Sequence, residues 1–141
     1  MSALQDHILI VDDEFMITQL LTIYVEDLGR AVCGTAATAD KAIALAQELR
    51  PGIVLMDVRL ADEKDGVDAA LAIHDTVGSK VIFITGSSEP STIARIAADH
   101  PSSVLIKPVT VRQLQEAIEK ATLEMGDMRF KDRSNISHRD L

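Results

Sequence analysis

Five short apolar runs, each stopped by polar or turn-forming residues and separated from the next by a longer stretch, limit most sharply what this chain can become. They are His7 to Val11, Ala31 to Thr35, Ile53 to Met56, Val81 to Ile84 and Val104 to Ile106. Runs this short and this uniformly apolar read as strands buried on both faces. The stretches between them have helical character. Ile17, Leu20, Leu21, Tyr24 and Leu28 recur at helical spacing, with Gly29 as a stop. Thr38 is placed to cap a helix through about Leu49, and Pro51-Gly52 breaks the chain after it. A polar loop from Ala61 to Gly66 leads to a helix over Val67 to Thr76, and Pro90 suits the first turn of a helix reaching Ala98. Thr110 and Gln113 fit a capping box ahead of the stripe Leu114, Ile118, Ala121 and Met125. Strand and helix alternating five times predict an α/β fold, a parallel sheet with right-handed crossovers. One domain over 1–125 accounts for this pattern. From Gly126 onward (126–141) the chain turns polar and loses periodicity, and a loosely ordered tail is expected. Met128, Phe130 and the basic residues there form a secondary candidate for a docking segment.

Composition closes off several function classes. A net charge of −8 argues against direct nucleic-acid binding, which needs a basic face. Aromatic residues at 3% give no stacking platform for single strands. The apolar runs fall well short of the roughly 20 residues that a membrane span needs. The start, MSALQDHILIVDDE, has no basic region and cleavage site of a signal peptide, so a cytoplasmic protein is expected. The single cysteine, Cys33, reads as an inert core residue. His7, His74 and His100 show no ligand spacing, and His138 falls in the tail.

In open α/β sheets, chemistry collects beyond the carboxyl ends of the strands. Asp12, Asp13 and Glu14 follow the first run, Asp57 the third, Thr85 the fourth and Lys107 the fifth. Carboxylates about 4 Å apart repel by roughly 1 to 4 kcal/mol in partly solvated surroundings. Such a cluster needs either a retained proton or a cation. All-oxygen donors with no nearby His or Cys suit a hard ion such as Mg²⁺. A carboxylate beside that ion is a competent nucleophile toward phosphorus, with Lys107 and Thr85 placed to pair with phosphoryl oxygens. Glu14 reads as a first-turn helix acid rather than a further ligand.

The segments ILIVDDE, VLMDVRL, FITGSS and LIKPV resemble, at these intervals, the receiver domains of two-component response regulators, over about residues 7 to 125. The resemblance implies a flavodoxin-like five-stranded sheet of order 2-1-3-4-5 with five helices. It implies Asp57 as phosphoacceptor and Asp12 and Asp13 as the acidic pair for Mg²⁺ (or Mn²⁺), with the Arg59 backbone carbonyl as a further ligand. Thr85 matches the switch hydroxyl, and Lys107 matches the family's lysine, followed by a cis proline at Pro108. The implied phosphodonor is a phosphohistidine on a sensor histidine kinase or phosphotransfer protein. With no effector domain expected, output would pass to an unidentified downstream protein, or the chain would act as a phosphate sink. The face of the fourth helix, fifth strand and fifth helix is the implied output and dimer surface.

Three departures from the family pattern stand out. Val104 replaces the aromatic that usually pairs with the switch hydroxyl. The loop from Asp57 to Gly66 is one residue longer than usual, and its LADEKDG resembles certain alphaproteobacterial receivers. Arg59 and Ser87 occupy positions that tune autodephosphorylation in the family. The rival readings are a pseudo-receiver that binds without phosphorylation and a Mg²⁺-dependent phosphohydrolase. The latter usually carries an acid two residues past its nucleophile, where this chain has Arg59.

Overall fold

The computed structural model of the protein describes residues 7–86 and 89–140, with 127–140 by backbone alone. Its elements are β1 (His7–Val11), α1 (Phe15–Asp27), β2 (Ala31–Ala36), α2 (Ala39–Leu49), β3 (Ile53–Met56), α3 (Gly66–Thr76), β4 (Lys80–Thr85), α4 (Pro90–Ala98), β5 (Ser103–Ile106) and α5 (Val111–Asp140). The strands form one sheet of order β2-β1-β3-β4-β5, and every pairing in it is parallel. Fold class and strand order agree with the sequence-based expectation.

Strand alternation divides the apolar side chains between two cores. On one face Leu9, Val11, Val54, Met56, Val81 and Phe83 pack with α2, α3 and Ile96 of α4. On the other, Ile8, Ile10, Ile53, Leu55, Ile82 and Ile84 pack with α1 and α5. The central strand β3 is buried throughout, which explains its unbroken apolar run. At the edge, β5 leaves Val104 and Ile106 partly exposed.

Caps locate the helix starts as expected. Thr38 Oγ1 accepts from the Lys41 N–H at 3.1 Å. Thr110 and Gln113 satisfy each other, Gln113 Oε1 accepting from the Thr110 N–H at 2.9 Å and Thr110 Oγ1 from the Gln113 N–H at 3.1 Å. Of the apolar residues that recur at helical spacing on α1, Leu20 is exposed, and the buried residues of the helix are Thr18, Leu21 and Val25. The helix is apolar on nearly all sides, with Phe15, Met16 and Ile23 also exposed, so spacing alone did not define its inner face.

The backbone of helix α5 continues past Gly126 through Asp140, the stretch for which a loosely ordered tail is the expectation. That segment contains no proline to break the hydrogen-bond ladder. The loss of apolar periodicity there ends the stripe, and Met125 is the last described residue packed against the core. The side chains of Met128, Phe130 and His138 lie outside the described residues.

Candidate functional site

The sheet ladder itself aims the site. The Asp12 N–H donates to the Ala36 carbonyl at 3.0 Å and the Asp57 N–H to the Val11 carbonyl at 2.9 Å. At the other side of the sheet the Lys107 N–H donates to the Thr85 carbonyl at 2.8 Å. Pairing therefore runs one residue beyond β1, β3 and β5, and holds the first residue after each strand at the carboxyl edge. The Lys107–Pro108 peptide is cis.

At that edge the Lys107 ammonium lies between two carboxylates, 3.1 Å from Asp12 Oδ2 and 3.2 Å from Asp57 Oδ2. Each carboxylate also accepts a backbone hydrogen bond on its other oxygen, Asp12 from the Glu14 N–H and Asp57 from the Val58 N–H, both at 2.8 Å. Asp12 and Asp57 are 3% and 6% exposed, whereas Asp13 faces solvent. Asp12, Asp13 and Asp57 nonetheless each offer an oxygen within 4.8 Å of the others. Thr85 is buried at the end of β4 and lines the same open cleft of about 580 Å³ as Asp57 and Lys107. Arg59, Glu89 and Thr92 line it as well. Ser87 lies outside the described residues. Glu14 occupies the N-cap position of α1, without a side-chain cap bond, rather than its first turn.

One ammonium against three carboxylates leaves the site short of positive charge, and Asp57 carries the consequence. Burial, reinforced by the neighbouring Asp12, raises its pKa to about 6, although Lys107 and the Val58 N–H pull the other way. Burial alone would lower the Lys107 pKa, but its bonds to Asp12 and Asp57 outweigh that, so the ammonium is held above its usual value. A cluster of oxygen donors with excess negative charge has the chemistry of a hard divalent-cation site.

The loop after Asp57 holds residues that sequence reading missed. Gly66 sits against the acceptor's backbone: a Cβ built there would collide with the Asp57 carbonyl oxygen and come within 2.8 Å of its carbon. Asp65 caps α3 in a closed capping box with Asp68. The D-x-x-D spacing was the available signal for that box, since a short acidic side chain can replace the Glu of the usual pattern. Asp62 accepts from the Ala39 and Asp40 N–H groups at 3.1 and 3.4 Å, capping α2 from a distance of 23 and 22 residues. No local pattern could have revealed that contact. Cys33 is half-buried against the core, and burial raises its thiol pKa. His74 and His100 line a separate small cleft with Asp99.

The model of the response regulator receiver domain matches residues 8–119. The phyllosphere-induced regulator PhyR of Methylorubrum extorquens is 33% identical over 129 residues, covering 91% of this chain and 48% of its own. Among solved structures, the signal receiver domain of a modulated diguanylate cyclase from Desulfovibrio desulfuricans G20 superposes with a TM-score of 0.77 at 34% identity, covering 84% of this chain and 97% of that one. A CheY-like receiver domain protein from Methanospirillum hungatei JF-1 gives a TM-score of 0.79 at 27% identity, covering 86% and 98%. The chain spans about half the length of the curated relatives it matches.

Proposed function

The chain belongs to the response regulator receiver family, and from that premise we propose that Asp57 accepts a phosphoryl group and that the resulting charge is read by a protein partner. Receiver domains are signalling modules of two-component systems rather than conventional enzymes, and the reading keeps to that role. The observation that carries it is the Lys107 ammonium held between Asp12 and Asp57 at the mouth of a cleft that Thr85 also lines.

The donor in this reading is a phosphohistidine on a sensor histidine kinase or phosphotransfer protein. An Asp57 carboxylate oxygen attacks phosphorus, the P–N bond breaks, and the imidazole nitrogen leaves with the bonding pair and takes up a proton. Asp57 is half-prepared for this: its second oxygen is held by the Val58 N–H, which orients the carboxylate. Lys107 follows the developing charge onto the phosphoryl oxygens, and Thr85 supplies a hydroxyl from the end of β4.

Asp12, Asp13 and Asp57, with the Arg59 backbone carbonyl, are the residues that would hold Mg²⁺ (or Mn²⁺). The fit rests on the oxygen-only donor set and its uncompensated charge. Bound there, the ion supplies charge neutralisation for the attacking carboxylate and the incoming phosphate. Arg59 at the cleft rim is placed to shield the acyl phosphate or to touch the donor protein.

In this reading output passes through the face of α4, β5 and α5, by docking to a downstream protein or by a dimer on that face; the alternative is a phosphate sink that drains a kinase. A cytoplasmic location accompanies this role. The test is intact mass after incubation with acetyl phosphate or phosphoramidate, with and without Mg²⁺, for the protein and for Asp57→Asn. One phosphoryl adduct that needs Mg²⁺ and is absent from the variant supports the reading. No adduct from either small donor or from a histidine phosphodonor leaves the pseudo-receiver, and steady release of inorganic phosphate from a substrate leaves the phosphohydrolase.

A further inference from the structure

Helix α4 is the most lightly anchored helix with described side chains. Ile96 is its single buried residue, against three each on α1 and α2 and five on α3. Elements held by so little apolar contact lie at the low end of local stability and move first. Among the described residues a second tie is electrostatic. Arg95 grips Asp65 with both prongs of its guanidinium, Nη1 donating to Oδ2 at 2.7 Å and Nη2 to Oδ1 at 3.3 Å, and Nη2 also lies 3.6 Å from Asp68 Oδ1. Among the described residues these are the ion pairs that join α4 to the rest of the molecule.

The place where Arg95 holds on is what gives the contact meaning. Asp65 is the N-cap of α3, accepting from the Val67 and Asp68 N–H groups at 3.0 and 3.1 Å, while Asp68 returns a bond from the Asp65 N–H at 3.1 Å. The next residue, Gly66, donates to the Val58 carbonyl at 2.7 Å and presses its Cα against the Asp57 carbonyl. A displacement of the first turn of α3 therefore moves the peptide that carries Asp57. On its other side the same loop is braced to α2, by Asp62 on the Ala39 and Asp40 N–H groups and by a 2.8 Å Lys64–Asp40 pair. The α2 side is fixed by backbone caps, and the α4 side by a half-exposed ion pair, so the α4 side is the adjustable one. The outward side chains of β5 are Val104 and Ile106, which are branched at Cβ and stiff at χ1.

We propose that Arg95 is a positioning residue that links the phosphorylation state of Asp57 to the placement of α4, acting as a latch that holds α4 in the arrangement of the unmodified protein. This rests on the phosphoacceptor reading and deepens it. Thr85 and Thr92 of α4 line the same cleft as Asp57, so a phosphoryl group held there acts on the front of α4 while Arg95 holds its later turn. Linkage makes the effect reciprocal: if modification strains the latch, releasing the latch favours modification by the same factor.

The experiment titrates beryllium fluoride, a phosphoryl mimic on carboxylates, in the presence of Mg²⁺, reading the amide resonances of Gly66 and Ile96. Arg95→Gln and Asp65→Asn each remove the pair, and asparagine keeps the capping acceptor on α3. Each is expected to tighten binding roughly two- to fivefold, the range of a good surface pair, and the double variant to tighten it no further. Arg95→Lys is expected to fall between Arg95→Gln and the parent protein, because an ammonium keeps the charge but loses the fork. Arg112→Gln, which deletes an exposed charge paired with Glu116 on its own helix, is the control and should not tighten binding. Loss of a positive charge by itself would weaken capture of an anionic mimic, so the expected direction separates the latch from bulk electrostatics. Unchanged or weaker binding in Arg95→Gln, or additive effects in the double variant, overturns the latch. A parent protein that takes up neither the mimic nor a phosphoryl group overturns the phosphoacceptor reading and the latch with it.

Discussion

Replacing Asp57 by asparagine should make the metal-free protein more stable, not less, although it deletes a buried, hydrogen-bonded side chain. The magnitude follows first from burial of the carboxylate and then from the neighbouring charge of Asp12. Burial and then Asp12 raise the Asp57 pKa from 3.8 to about 6 against the pull of Lys107. A raised carboxylate pKa means that folding favours the protonated form, so the ionised form opposes folding. Above pH 6 Asp57 is charged in both states and the full cost applies, about 3 kcal/mol for this shift. As pH falls through the folded pKa the cost is relieved, to about 1 kcal/mol near pH 4.5, and it vanishes below the unfolded pKa. The asparagine keeps one acceptor for Lys107, and its amide needs a new partner, which consumes part of the gain. The expected increase near pH 7.5 in EDTA is therefore about 1 to 3 kcal/mol, or a rise in midpoint temperature of roughly 3 to 10 °C. Urea melts of both proteins at several pH values measure it, because the difference between them cancels every other titrating group. Millimolar Mg²⁺ should narrow the gap by stabilising the parent alone. An asparagine variant less stable than the parent near pH 7.5 in EDTA, or a gap that does not shrink on acidification, would refute the argument from a buried, under-compensated carboxylate.

Further outcomes follow from the same geometry. Lys107→Ala strips Asp12 and Asp57 of their shared cation and should cost roughly 2 to 4 kcal/mol in EDTA; urea melts that show no loss, or no partial recovery with Mg²⁺, would contradict the assigned pairing. Gly66→Ala drives a methyl group into the Asp57 carbonyl and should cost at least about 2 kcal/mol while perturbing the amide resonances of Asp57 and Val58. Thr38→Ala removes the cap on α2 for about 1 kcal/mol, with an unchanged urea m-value, and Thr38→Asn should restore most of that loss.

The division between what was legible and what was not runs along the distance over which a residue acts. Apolar period, caps and breakers are local, so the sequence by itself determined five strands, five helices, their order and the edge at which Asp12, Asp57, Thr85 and Lys107 meet. The Thr38 and Thr110–Gln113 caps were readable for the same reason, because their partners lie within three residues. Helix α1 escaped this reading, since a helix apolar nearly all round hides its inner face until the sheet and α5 select one. Tertiary structure alone decided that Asp62 caps a helix 23 residues upstream, that Gly66 is pressed against the acceptor's carbonyl, and that Arg95 reaches Asp65 across 30 positions. The altered Asp57 pKa belongs there too: it arises from desolvation and from charges brought together by folding, and neither exists along an extended chain.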